Sequence, residues 1–117
     1  MAAMISDHFE HMARMASKSL HEAFIGRATK DRYLLPEELF EDFLSSIRRL
    51  ILHSDDPLKE RYLNLYVYSI QEFAKAPEDA FYGSQQWENI RTAAQNFLAH
   101  LTAFDLAEWE RRELKDA

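Results

Sequence analysis

Apolar residues recur at three- and four-residue steps along almost the whole chain, and the residues that interrupt helices are confined to Gly26, Pro36, Pro57, Pro77 and Gly83. Two glycines and three prolines in 117 residues are about a third of the roughly 12% that average usage supplies. Hairpins and barrels need many such residues at tight turns, so their scarcity disfavours both. A helical repeat with few breaks implies a small number of long amphipathic helices packed on a shared core. The length suits one domain. The predicted architecture is therefore all-α: a single domain over 1–117, an up-and-down bundle of four main helices with a possible fifth, short C-terminal helix.

Local chemistry sets the boundaries. Ser6 or Asp7 can cap a first helix that carries Phe9, Met12, Ala16, Leu20 and Phe24 on one side and ends at Gly26. Pro36 suits the first position of a second helix, with Glu37 and Glu38 at its positive end and Arg48, Arg49 and His53 at its negative end. Its apolar side holds Leu39, Phe40, Phe43, Leu44, Ile47, Leu50 and Ile51. Asp56 and Pro57 repeat that start signal and open a third helix that runs to about Lys75. The turn between the second and third helices is short, so the two should be antiparallel neighbours. Residues 77–82 are expected to form a short helical turn closed by Gly83. Ser84 then caps a last main helix bearing Trp87, Ile90, Ala94, Phe97, Leu98, Leu101 and Phe104. Beyond Phe104 the apolar face shifts to Leu106, Trp109 and Leu114, so Asp105 marks either a bend or the cap of a terminal helix.

The third helix carries two apolar stripes. Leu58, Tyr62, Leu65, Tyr66 and Phe73 form one, Leu63, Val67, Ile70 and Ala74 form an adjacent one, and Tyr68 lies further round. A helix this apolar is either the central, most buried member of its bundle or an interface.

Charge and composition exclude several classes of function. The net charge of −6 argues against a binder that tracks nucleic-acid phosphates, because such affinity comes from clustered Lys and Arg. The absence of cysteine excludes disulfides, thiolate zinc sites and Cys nucleophiles, and permits a reducing cytosol. Apolar runs are far shorter than the roughly 18 residues that span a bilayer. Met1 lacks the layout of a signal peptide behind it, so a cytoplasmic protein is expected. Gly26 and Gly83 stand alone, which leaves no Gly-rich phosphate loop and no Gly-x-Ser-x-Gly elbow.

The remaining chemistry lies in three places. His8 and His11 are three residues apart on the first helix, with Met4, Met12 and Met15 nearby. Such a pair could share a soft metal ion, and the alternative is Met in the core with His on its flank. The carboxylates Glu37, Glu38, Glu41, Asp42, Asp55 and Asp56 fall at helix starts, where capping and the dipole explain them without catalysis. Arg48 and His53 form an Arg-x-x-x-x-His spacing that resembles the signature of the HEPN family of helical ribonucleases. The resemblance implies His53 as general acid/base and Arg48 holding the RNA phosphate; the helix dipole is the competing reason for both.

Aromatic residues supply the strongest functional pointer. Eight Phe, five Tyr and two Trp exceed what a small bundle must hide, and Tyr and Trp dominate interface hot spots. Tyr62, Tyr66, Tyr68, Trp87 and Trp109 are the predicted contact anchors. In addition, Leu20, Ala23 and Arg27 followed by Pro36-Glu37-Glu38-Leu39 resemble the helix pair in the partner-binding helical domains of the stress-response phosphatase RsbU and the clock protein KaiA. The expected function is a non-enzymatic protein-interaction module without a cofactor: a regulator, adaptor or acidic inhibitor, homodimeric through its third helix. A HEPN-like ribonuclease using Arg48 and His53 is the first alternative, and a metal binder using His8 and His11 the second.

Overall fold

The computed structural model describes residues 2–25, 35–53, 59–100 and 104–115, and their side chains except at 2–8 and 53. Among the described residues there are six helices and no strand: α1 Ala2–Ala16, α2 Lys18–Phe24, α3 Pro36–His53, α4 Lys59–Lys75, α5 Gln85–Ala99 and α6 Leu106–Leu114. None is long and apolar enough to cross a membrane.

Helices α1, α3, α4 and α5 close into a ring in which α1 and α4 each lie against both α3 and α5. Directions follow from which ends meet. Phe40 near the start of α3 stacks on Phe73 near the end of α4, with centroids 5.0 Å apart. Tyr62 near the start of α4 meets Phe97 near the end of α5 at 5.3 Å. Arg91 in the first half of α5 reaches the carbonyl of Ala16 at the end of α1. Successive ring helices α3, α4 and α5 thus run antiparallel, as the short connections require, and the bundle is up-and-down. Its shortest dimension is 19 Å, room for two helix layers of roughly 10 Å each. Every ring helix therefore turns one side outward.

The predicted boundaries hold at several caps. Pro36 begins α3, and the carbonyl of Leu35 accepts from Leu39 N. Ser84 caps α5 through Trp87 N, and Asp105 caps a separate α6 through Glu108 N, which decides between the bend and the terminal helix. Gly83 takes φ +88°, a left-handed conformation that favours glycine. The boundaries expected at Gly26, Asp56 and Pro57 lie outside the described residues, as does Leu101, while α5 ends at Ala99 and leaves Phe104, expected on its apolar face, beyond the helix.

Four expectations are corrected. Helix α1 starts at Ala2, so Ser6 and Asp7 lie within it and not at its start. The first helix is two helices, because Ser17 adopts φ −90°, ψ 101° and its side chain caps α2 by accepting from Leu20 N. Residues 77–82 form turns closed by Ala80 N to Pro77 O and Ser84 N to Phe81 O, with no helix. Finally, α4 is not the most buried helix. Among the described side chains that place belongs to α1, whose Phe9, Met12, Ala13, Met15 and Ala16 are all in the core, since α1 lies against both α3 and α5 in the ring.

The break at Ser17 is held by polar groups. A helix end leaves carbonyls without partners, and here His21 Nε2 donates to Arg14 O at 2.7 Å while Arg91 donates to Ala16 O at 3.3 Å. Ser17 Oγ donates in turn to Glu110 of α6 at 2.6 Å, and Trp109 Nε1 donates to Glu10 of α1 at 3.1 Å. Ser17→Ala removes the α2 cap and strands a carboxylate, so it should cost about 1–2 kcal/mol of stability. Urea denaturation of the two proteins checks this.

Candidate functional site

Helix α4 is amphipathic in an unusual sense. Its buried residues are Tyr62, Leu65, Ser69 and Glu72, one face at helical spacing, and half of that face is polar. Ser69 Oγ satisfies itself on Leu65 O at 2.7 Å. The Glu72 carboxylate accepts from Asn89 Nδ2 on α5 at 2.6 Å and from Lys75 Nζ at 3.3 Å. The Asn89 hydrogen bond, helped by Lys75, holds the Glu72 pKa below the ordinary 4.5 against the opposing effect of desolvation.

The opposite side is aliphatic and open. Leu63, Val67 and Ile70 are each 40–47% exposed. Among the described residues eight large hydrophobics are exposed, and five of them lie on α4: these three, Tyr68, and Phe73, whose ring also stacks on Phe40. Exposed hydrophobics scattered singly need no explanation, whereas here they are concentrated on one helix. Leu63, Val67, Ile70 and Ala74 follow each other at steps of four, three and four, the a/d repeat of helix pairing. Their flanks are Asn64, Tyr66, Gln71 and Phe73, none of them charged.

Tyr68 lines a groove of about 450 Å³ separating α4 from α5. Leu65, Ala93 and Phe97 form the apolar part of its lining, with Arg61 and His100 among the polar part. His100 Nδ1 donates to Asn96 O at 2.7 Å, which fixes the ring against its own helix.

The five predicted anchors fall into two sets. Tyr68 is exposed and Tyr66 half-buried, both on α4. Tyr62, Trp87 and Trp109 are core residues of this protomer. Trp87, 2% exposed, sits among rings: Phe81 at 5.0 Å, Tyr82 at 5.1 Å and His21 at 5.2 Å. Phe81 in turn meets Phe73 at 4.9 Å and Phe40 at 5.1 Å. The aromatic surplus thus binds the 76–84 turn to α2, α3, α4 and α5. Aromatic content alone overstated the anchors; the signal that identifies the outward residues is the polar pair Ser69 and Glu72 in line with Tyr62 and Leu65, which fixes the inner face and turns Leu63, Val67 and Ile70 out.

The other candidates lie on α1 and α3. Arg48 is exposed on α3 and donates to Ser45 Oγ at 3.0 Å; the His53 side chain lies outside the described ones. His11 is half-buried, Met12 and Met15 are buried in the core, and the side chains of Met4 and His8 lie outside the described ones. Among the described residues no group of three or more His, Asp or Glu is placed to hold a metal ion. Glu37, Glu38, Glu41 and Asp42 line an open surface hollow at the start of α3.

One buried titratable group lies apart from α4. Burial, above all, lowers the His21 pKa from 6.5 to about 4, with the Arg91 charge acting in the same direction. The hydrogen bond to the Arg14 carbonyl and the Glu88 charge oppose it. Since a carbonyl only accepts, Nε2 carries the proton of the neutral ring.

Comparisons with protein-family models, with curated proteins and with solved structures find no match for this chain.

His21 makes stability depend on pH. Between 6.5 and 4 the unfolded chain binds a proton that the native ring refuses, so stability falls as pH falls through that window, by up to about 3 kcal/mol in all. Urea titrations at pH 7 and pH 4.5 should show most of this loss in the wild type. His21→Gln, which keeps a donor for Arg14 O, should show little of it.

Proposed function

We propose that this protein is a non-enzymatic protein-interaction module that holds its partner on the outward stripe of α4. One observation carries the reading: α4 buries Ser69 and Glu72 while leaving Leu63, Val67 and Ile70 open to solvent. Hydrophobic burial alone would favour the reverse. Covering a side chain that is already half exposed returns about 1 kcal/mol, and several on one helix face supply the apolar centre of a specific interface.

The stripe favours a regulator or adaptor over an acidic inhibitor. An acidic inhibitor recognises a basic surface through carboxylates, and the outward and flanking positions of α4 from 63 to 74 carry no charge. The half-buried Tyr66 adds aromatic area at the margin of the same face, while exposed Tyr68 lines the groove toward α5. Of the anchors expected from sequence, Tyr66 is the one that borders the proposed interface.

Site-specific photo-crosslinking in cells that express the chain tests the proposal. A photoreactive residue replacing Val67 or Leu63 should give an adduct of one discrete mass, while the same residue at exposed Thr92 on α5 should give none. No adduct from α4, or equal labelling from Thr92, would overturn the proposal.

A further inference from the structure

Building on the reading of α4 as a docking face, we propose that its occupant is a second copy of this chain, with the two α4 helices packed antiparallel about a twofold axis near Tyr68 and Ser69.

Shape is the first argument. The stripe runs from a large residue, Leu63, through Val67 and Ile70 to a small one, Ala74. Antiparallel pairing sets Leu63 of one copy against Ala74 of the other, and Val67 against Ile70. Large then faces small at both ends, which keeps the helices at constant separation. A parallel pair would set Leu63 against Leu63 and Ala74 against Ala74, crowding one end and leaving a void at the other.

The flanks give the second argument. In an antiparallel helix pair each flanking row meets its own equivalent. Here that places Tyr66 across from Phe73 and Asn64 across from Gln71, ring against ring and amide against amide, each pair occurring twice. A twofold interface must be self-complementary in this way. A charged partner would find nothing to match, because the stripe and both flanks are neutral.

The helix ends give the third. The antiparallel arrangement sets the positive start of each α4 against the negative end of the other, whereas a parallel pair sets like ends together. Exposed Glu60 stands beside exposed Lys59 at the start of α4, so these two side chains together favour neither arrangement.

Two measurements on the purified full chain test the inference. Light scattering between about 1 and 200 µM, a range suited to a single-helix interface, should approach twice the 13.8 kDa protomer mass. Val67→Glu and Ile70→Glu should keep their helical circular dichroism and weaken association at least roughly tenfold, while Thr92→Glu should behave as wild type. The absence of cysteine makes orientation readable. Leu63→Cys and Ala74→Cys proteins, one isotope-labelled, mixed and mildly oxidised, should yield mainly the 63–74 disulfide by mass spectrometry. Dominant 63–63 and 74–74 disulfides would overturn the antiparallel arrangement. A folded wild type that stays at protomer mass throughout would overturn the second copy as occupant. In that event a discrete crosslink of another mass from Val67 would still leave α4 as the docking face, and its absence would remove both.

Discussion

The hydrogen bond from Asn89 to Glu72 fixes which way α4 faces, and the surface chemistry of the molecule follows from it. Helix α4 carries two apolar stripes, and solvent alone would turn the more aliphatic one inward. The 2.6 Å contact between Asn89 Nδ2 and the Glu72 carboxylate ties the inner face to α5. On the other side Phe73 is stacked on Phe40 and edge-on to Phe81, which ties the helix to α3 and the turn. Rotation about the helix axis would have to break the first and unstack the second. Because a carboxylate taken from water must keep its hydrogen bonds, this is a discrete lock that gradual repacking cannot slip.

A similar use of polar groups decides the course of the first 25 residues. Neither glycine nor proline breaks the chain between α1 and α2. The break persists because the end of α1 meets partners: the His21 imidazole on Arg14 O, the Arg91 guanidinium on Ala16 O and the Ser17 hydroxyl on Leu20 N. Arg91 is itself oriented by Glu88, whose two oxygens accept from Nε at 3.0 Å and from Nη2 at 2.9 Å. Buried networks of this kind gain strength from low local polarity when every member is satisfied. Turning the chain at Ser17 also lets α6 dock, through Glu110 on Ser17 and Trp109 on Glu10.

This contrast explains what could be read from the sequence. Helix class, the starts at Pro36 and Ser84 and the end at Lys75 were legible because each depends on residues within one turn of the boundary, whereas at Asp105 the sequence left a bend and a cap as alternatives. Ser17 was not, since a serine within an apolar repeat becomes a cap only when distant groups, Glu110 and Arg91, make the break worth having. The same holds for the site. The stripe of Leu63, Val67, Ile70 and Ala74 was visible as a stripe, but its direction depends on Asn89, seventeen residues beyond Glu72. Trp87 and Trp109 pointed to an interface by residue type, and partners far along the chain, Phe81 and Glu10, drew them inside.

The division between an aromatic interior and an aliphatic exterior has a consequence for how the protein can work. The rings around Trp87 join four helices and the 76–84 turn, so most of the stability of the fold resides on the side of α4 that faces away from the stripe. Substitutions at Leu63, Val67 or Ile70 remove little packing from the protomer, while those at Tyr62, Phe81 or Trp87 open the core, where loss of a large side chain costs several kcal/mol, about 3–5 for an aromatic. The residues that hold the bundle together and those left open to solvent therefore occupy opposite faces of one helix, and the polar pair on the inner face assigns each stripe its place.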